Sequence, residues 1–156
     1  MLIRKPKITD INAIHQLIKP FAEARRMLAL PLGNLTERLR DFLLLEVDGE
    51  LIGAVAVHIV WDDLVEIRSL AVRPERQKQG YGSALIDAAL NEAREIGATK
   101  VFTLTFVPEF FQKHGFAVID RHELPHKVWQ DCTHCPLFPD CGETALARNL
   151  ELRVKS

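Results

Sequence analysis

Features that mark membrane-spanning, secreted or nucleic-acid-binding proteins are missing from this sequence. No apolar run approaches the roughly 18 to 20 residues that cross a bilayer. The first six residues lack the apolar core of a signal peptide. The net charge of −1 gives no basic excess, which a nucleic-acid surface normally carries. We therefore expect a cytoplasmic protein that binds neither membrane nor nucleic acid.

Cysteine and tyrosine are also scarce. The only three cysteines are Cys132, Cys135 and Cys141, and the only tyrosine is Tyr81. No cysteine lies in a predicted core strand, which argues against a covalent cysteine intermediate. Three alternatives stay open for the cysteines. The first is a structural zinc site completed by a neighbouring aspartate or water. The second is a disulfide, which a reducing cytosol disfavours. In the third, the cysteines stay reduced in a proline-clamped flap.

The length of 156 residues suits one domain with a sound core. Apolar periodicity and turn signals predict the order β-α-α-β-β-β-α-β-α-β. The predicted elements are residues 2–5, 11–21, 35–40, 42–47, 51–60, 64–72, 83–96, 101–106, 108–114 and 116–120. We place the main domain at residues 1–125 and a C-terminal extension at 126–156. In that extension Leu146, Leu150 and Leu152 predict a closing helix behind the cysteine flap, packed on the sheet or on another subunit.

The most informative pattern is a glycine pair, Gly80 and Gly82, between the strand ending at residue 72 and the helix beginning at residue 83. Three cations lie in the same loop: Arg73, Arg76 and Lys78. Amides free of Cβ crowding at a helix N-terminus form a pocket for phosphate oxygens. The helix dipole and the cations favour the same guest, so this loop predicts a pyrophosphate cradle.

Two common phosphate loops do not fit. A dinucleotide-binding turn needs a glycine where Leu85 stands, and a P-loop needs a lysine directly after Gly82. The motif Gln77-x-x-Gly80-x-Gly82 instead resembles the acetyl-CoA signature of the GNAT N-acetyltransferases. The resemblance implies that acetyl-CoA is the cosubstrate and that loop amides bind its pyrophosphate. The residues it implicates are Leu70, Ala71 and Val72, whose backbone would pair with the pantetheine arm, and Gln77, Lys78, Gln79, Gly80, Tyr81, Gly82 and Ser83.

The same resemblance implies the GNAT acyl-CoA N-acyltransferase fold, an α+β domain built on a mixed sheet, here with a cysteine-containing C-terminal extension. In that family the fourth strand carries a β-bulge. Such a bulge would free a backbone N–H near Leu70 to stabilise the tetrahedral oxyanion. The segment ending in Gly115-Phe116 resembles the second family signature, but Phe111 stands where many members carry a tyrosine acid. A thiol pKa of about 8.5 makes the thiolate a fair leaving group without it.

A general base is needed because the acceptor amine arrives protonated. Glu66 is the first candidate, since it lies four residues before Leu70 and would share its strand face. The alternative for Glu66 is an exposed strand glutamate paired with Arg68. His58, on the facing hairpin strand, is the second candidate, and its alternative is a hydrogen-bonded core histidine.

Residues 56–72, 108–111, 124–129 and 131–141 resemble the short, single-domain N-acetylglutamate synthases. The match implies transfer of acetyl to the α-amino group of L-glutamate, the first step of arginine synthesis. The cations offered for the substrate carboxylates are Arg68, Lys127 and Arg26; the alternative for each is a solvated surface charge.

One departure from these synthases keeps other functions open. Leu30 and Val107 are apolar where polar or aromatic residues are expected. The runner-up is therefore acetylation of another small amine or amino acid. A third hypothesis is a catalytically silent acyl-CoA-binding module that regulates a partner. We expect a small-molecule partner in the first two cases. The sequence does not determine the oligomeric state, and a homodimer is one assembly that stays open.

Overall fold

Alternating apolar residues build one mixed sheet with helices on both faces. The computed structural model describes residues 1–24, 27, 30–125 and 143–150. The strands are β1 (Leu2–Arg4), β2 (Phe42–Val47), β3 (Glu50–Ile59), β4 (Leu64–Val72), β5 (Lys100–Thr105), β6 (Ala117–Val118) and β7 (Thr144–Asn149). The α-helices are α1 (Ile11–Glu23), α2 (Leu32–Glu37), α3 (Tyr81–Glu95) and α4 (Pro108–Gln112), with 3₁₀ turns at Ile8–Asp10, Leu39–Asp41, Pro74–Arg76 and Arg121–Glu123. The predicted order of elements is confirmed as far as β6.

The strands lie in the order β1-β2-β3-β4-β5-β7-β6. Only the β4–β5 pair is parallel, and the other neighbours run antiparallel. Asp48 and Gly49 both have positive φ, which is the backbone that a tight hairpin turn requires. The bounds of β2 and β4 match the prediction. Within the described part of the chain, no helix is both long and apolar enough to cross a bilayer.

Each face of the sheet has its own core. On one face α3 packs against the sheet through Leu85, Ile86 and Ala89. On the other face the apolar side of α1 packs with α2 over the first half of the sheet. Side chains of β4 can therefore face either the α3 layer or the α1–α2 layer, and the register of β4 decides which residue faces which.

A β-bulge in β4 changes that register. Ala56 pairs with Arg68 and Ala54 with Ala71, so Ser69 and Leu70 together oppose one residue of β3. Ser69 has a φ of 56°, which a serine seldom adopts outside such an irregularity. The bulge expected from the family resemblance is confirmed.

The bulge also corrects a prediction about Glu66. A one-residue insertion shifts the two-residue alternation of a strand, so positions on either side of it exchange faces. Leu70 packs against the α3 core, whereas Ala71 belongs to the α1–α2 core. Arg68 lies opposite Ala56 of that second core, and Glu66 alternates with it. The prediction that Glu66 shares the face of Leu70 is therefore wrong: Glu66 faces the α1–α2 layer.

The predicted closing helix is also wrong over the residues that the structure describes. Thr144–Asn149 forms strand β7, which pairs with β5 on one side and β6 on the other. Leu146 belongs to the α3 core, and its neighbours Ala145 and Ala147 belong to a cluster on the opposite face. Burial on both faces with small alanines hid the two-residue period, so the leucine spacing resembled a helix. Leu152 lies outside the described residues.

An ion-pair cluster fixes β1 to the start of α1. The Arg4 guanidinium contacts Asp10 at 2.8 Å and Glu46 at 2.7 Å. Asp10 Oδ2 also accepts a hydrogen bond from the Lys7 N–H at 2.7 Å. The Arg4 hydrogen bond, followed by the Lys7 N–H, lowers the pKa of Asp10 to about 2.

The Asp10→Asn variant should therefore unfold more easily at neutral pH, by about 1 to 2 kcal/mol. The sign follows from the lowered pKa, because stabilisation by an ionised Asp10 is present above its unfolded pKa of about 4 and is lost as the pH falls toward 2. Urea unfolding at several pH values measures the difference. Asparagine keeps the acceptor for the Lys7 N–H, and Asp48→Asn, in the exposed β2–β3 turn, is the matched control. A difference between Asp10→Asn and wild type that persists undiminished below pH 2 would contradict this account.

Candidate active site

A split in the sheet lies at the centre of the site. Parallel pairing of β4 with β5 runs from Leu64 opposite Lys100 to Glu66 opposite Phe102 and does not extend further in the described strands. Just beyond, the Thr103 hydroxyl donates to the Ile67 carbonyl at 2.8 Å. Past this point β4 carries Leu70, Ala71 and Val72 along the opening. Their pairing with an extended ligand stays a prediction.

The start of α3 has amides without an intrahelical partner where the glycine spacing predicts a pyrophosphate cradle, and we call this group the amide cradle. Gly80 caps the helix with a φ of 87°, and no side chain occupies the cap. The Ala84 N–H donates to the Gly80 carbonyl at 3.1 Å. The amides of Tyr81, Gly82 and Ser83 precede this first helical bond and are directed out of the helix end. These residues fit a bound diphosphate, since they supply donors, the positive end of the helix dipole and no Cβ at the cap.

Gly82 serves packing in the first turn of α3. A Cβ at this position would lie 3.3 Å from the Phe110 ring, tighter than most real contacts. The absence of a side chain thus lets α4 approach the cradle. Sequence analysis singled out Gly82 for the ligand alone and missed this contact.

Two side chains fasten the loop to the sheet. The Gln77 amide donates to the Val72 carbonyl at 3.1 Å, which ties the loop back to the end of β4. The Arg73 guanidinium donates to the Leu51 carbonyl at 2.6 Å, and the Arg73 N–H donates to the Ile52 carbonyl at 2.9 Å. Gln77 therefore positions the loop, and Lys78, with a φ of 65°, turns the backbone toward the helix. The side chains of Lys78 and Gln79 are exposed.

Ser83 has a partner that sequence analysis missed. Its hydroxyl lies 3.2 Å from Nε2 of His114, which follows α4. The His114 ring also packs at 5.1 Å from Phe110. The contact joins the two signatures of the sequence, and only the fold brings them together.

Glu66 and Arg68 form a partly buried pair on the opposite side of the sheet from the cradle. Arg68 Nη1 lies 3.4 Å from Glu66 Oε1, and the side chains keep only 19% and 13% of their exposure. The predicted pairing of Glu66 with Arg68 is thus confirmed, but this glutamate is not the exposed one that the alternative assumed. At the split, a carboxylate can accept a proton and a guanidinium can bind an anion.

His58 extends this cluster on β3. It pairs directly opposite Glu66 in the antiparallel register, so both side chains point to the α1–α2 layer. His58 Nδ1 lies 2.7 Å from Oδ2 of Asp41, in the 3₁₀ turn before β2. The hydrogen bond of the alternative is therefore confirmed, but His58 keeps 28% of its side-chain exposure and is not the core histidine that the alternative assumed. The sequence did not indicate Asp41 as a site residue, because it lies 17 residues from His58 along the chain and no local pattern links the two.

Phe111 is buried and packs edge-on against Phe110 and Phe116. Phe111 therefore fills the core. Tyr81 also packs partly buried against the α3 core. Phe111 has no hydroxyl, and these contacts do not identify Tyr81 as the missing tyrosine acid.

Five of the predicted site residues lie outside the described residues: Arg26, Lys127, Cys132, Cys135 and Cys141. Their roles stay predictions, including structural zinc. In residues 1–24, 27, 30–125 and 143–150, no group of three or more histidine, cysteine, aspartate or glutamate side chains is arranged to hold a metal ion.

Known proteins resemble this chain over most of its length. The model of the acetyltransferase (GNAT) family matches residues 8–116. An uncharacterized N-acetyltransferase of Chlorobaculum tepidum is 34% identical over 95% of this chain and 96% of its own. The amino-acid acetyltransferase of Mycobacterium tuberculosis is 35% identical over 83% of this chain and 76% of its own.

A solved structure agrees with these sequence relatives. It is the N-acetylglutamate synthase from Neisseria gonorrhoeae, complexed with coenzyme A and N-acetylglutamate. It superposes with a TM-score of 0.89 at 32% identity over 96% of this chain, which spans about a third (35%) of that protein. The family match covers well over half of the chain and the amide cradle lies within it, so this chain belongs to the GNAT family and is an N-acetyltransferase.

Proposed function

We propose that this enzyme transfers the acetyl group of acetyl-CoA to the α-amino group of an amino acid, L-glutamate, by direct attack in a ternary complex. The observation that carries the proposal is the placement of two sets of groups at one split. The amide cradle lies on the α3 side, and the Glu66–Arg68 pair lies on the α1–α2 side. The bound ligands of the gonococcal synthase and the name of the tuberculosis relative support the same chemistry.

The cradle residues bind and aim the cosubstrate. The amides at the start of α3 would hold the diphosphate, and the edge of β4 from Leu70 to Val72 would pair with the pantetheine arm. Bound acetyl-CoA supplies an activated thioester. The bulge at Ser69 leaves the Leu70 N–H as the proposed donor to the oxyanion.

Glu66 is the proposed general base. An ammonium whose pKa lies about three units above ambient pH costs roughly 4 kcal/mol to deprotonate. Glu66 would accept that proton directly or through water, which frees the nitrogen lone pair for attack on the thioester carbonyl. The N–C bond then forms, the C–S bond breaks, and the second amine proton goes to the departing thiolate. Its small residual exposure keeps bulk solvent from competing for the carboxylate.

Arg68 is the proposed partner of a substrate carboxylate. Arg68→Gln should raise KM for glutamate by about tenfold or more and leave KM for acetyl-CoA unchanged, because a charge-assisted hydrogen bond contributes roughly 1.5 to 3 kcal/mol. Steady-state kinetics with each substrate varied in turn measure this. Arg94→Gln, on α3, is the control, and equal changes in both variants would remove Arg68 from the acceptor site.

The acceptor itself is tested by release of free thiol from acetyl-CoA against a panel of amino acids and small amines. Glutamate should give the highest kcat/KM, and mass spectrometry should find N-acetylglutamate. Turnover with another acceptor but none with glutamate would favour the runner-up, for which apolar Leu30, packed on the α1–α2 core, and exposed Val107 are the supporting residues. The first step of arginine synthesis and a cytoplasmic location are part of the same proposal.

A further inference from the structure

The Asp41–His58 pair is the best-formed polar contact of the site that the transfer step does not use. Its carboxylate and imidazole lie 2.7 Å apart, with side-chain exposures of 26% and 28%. We infer that Asp41 is a positioning residue that fixes His58 as the acceptor of the proton that Glu66 removes from the substrate amine. The inference rests on the proposed function and adds the route by which Glu66 is returned to its ionised state.

The contact selects one tautomer of His58. An ionised carboxylate can only accept hydrogen bonds, so the Nδ1 that faces Asp41 Oδ2 must carry the hydrogen. In a neutral imidazole, Nε2 then carries the lone pair. The ring therefore presents its basic nitrogen away from Asp41.

The register of the sheet places this ring beside Glu66. His58 and Glu66 are directly opposite in the antiparallel β3–β4 pair. Side chains opposite each other in such a pair have Cβ atoms about 4.5 to 5.5 Å apart. That separation allows a proton to pass between a carboxylate and an imidazole, directly or over one water.

The described neighbours of Glu66 and His58 are charged on β4 and in the 3₁₀ turn, and apolar on α1 and α2. Arg68 faces it from β4 beside Glu66, and Asp41 faces it from the 3₁₀ turn. The side chains that α1 and α2 bury on this face of the sheet are apolar: Ile14, Leu17, Ile18 and Leu35. Among the described residues, the charged groups that these contacts place on this face are thus Asp41, Glu66, Arg68 and, once protonated, His58. Arg40 lies beside Asp41 in the same 3₁₀ turn.

The proton balance is simple. Glu66 takes one proton from the substrate ammonium before the attack and passes it to Nε2 of His58. The second amine proton leaves the nitrogen after the N–C bond has formed and ends on the departing CoA thiolate as the C–S bond breaks. The resulting imidazolium forms an ion pair with Asp41 and releases the proton to water at its exposed edge. Glu66 is then ionised again for the next turnover, and no other reactant is consumed.

The test combines kinetics with the state of the ring. Asp41→Asn can keep the contact geometry but can also donate to Nδ1, which would place the hydrogen on Nε2. We expect Asp41→Asn to lower kcat roughly 10- to 100-fold at unchanged KM for both substrates. His58→Gln should lose about as much, and the double variant should lose no more than His58→Gln. Asp48→Asn, in the exposed β2–β3 turn, and His122→Gln, exposed in the 3₁₀ turn Arg121–Glu123, should keep wild-type kcat.

Nitrogen-15 spectra of the imidazole provide a readout that a merely structural role would not move. Wild type should show the hydrogen on Nδ1 of His58, and Asp41→Asn should shift it toward Nε2. Asp41→Asn with kcat within twofold of wild type, losses that multiply in the double variant, or a wild-type ring protonated on Nε2 would each overturn the inference. If no amino acid is acetylated, the proposed function fails, while the spectra still decide whether Asp41 fixes the ring.

Discussion

Glu66→Gln is expected to lower kcat by about 100- to 10,000-fold, the usual contribution of a general base. Glutamine has almost the shape of glutamate but cannot accept a proton at neutral pH. KM for acetyl-CoA should stay the same, because the amide cradle lies on the other side of the sheet from Glu66. Initial rates with saturating acetyl-CoA and glutamate measure the effect.

Glu95→Gln is the matched control, since Glu95 is exposed at the end of α3. Thermal melting should confirm that both variants are folded. Unchanged turnover in Glu66→Gln would remove Glu66 as the base. If wild type itself binds coenzyme A yet acetylates no acceptor, the chain is the silent acyl-CoA-binding module.

Gly80→Ala should weaken coenzyme A binding by about tenfold or more. Alanine pays roughly 1 to 2 kcal/mol to hold the left-handed backbone that Gly80 adopts, and each 1.4 kcal/mol is a factor of ten in affinity. A loop that relaxes to a negative φ would turn the amides of the cradle away from the diphosphate. Isothermal titration of coenzyme A into the folded variant measures the change.

Gly49→Ala separates binding from backbone strain. Gly49 and Gly80 have φ values of 78° and 87°, and a Cβ on either would meet nothing within 4 Å. Both variants should lose similar stability, about 1 to 2 kcal/mol. Gly49 lies in the β2–β3 turn, however, so Gly49→Ala should leave coenzyme A affinity unchanged. Equal affinity in the two variants would show that the Gly80 backbone does not shape the cradle.

The elements that local pattern determines were predictable. The hairpin around Asp48 and Gly49 and the bounds of β2 and β4 follow from alternation and turn residues, and the cradle follows from its glycine spacing. These features depend on residues close together in the chain. A single sequence is therefore enough to place them.

The arrangement of the catalytic cluster was not predictable in the same way. The bulge at Ser69 has no sequence signature of its own, so simple alternation placed Glu66 on the wrong face. The contact of Asp41 with His58 joins a 3₁₀ turn to a strand across the sheet. Strand β7 was missed because Ala145 and Ala147 bury small side chains where a polar face was expected.

The place of β7 has a consequence for how the molecule assembles as it is synthesised. β7 lies between β5 and β6, so β6 can pair with a strand only after residues 144–149 have left the ribosome. Until then β5 presents an open edge that other chains can pair with. Such distant pairings raise contact order and slow folding. The last strand of the described structure thus closes the molecule, and a nascent chain that stalls before it exposes the β5 edge to aggregation.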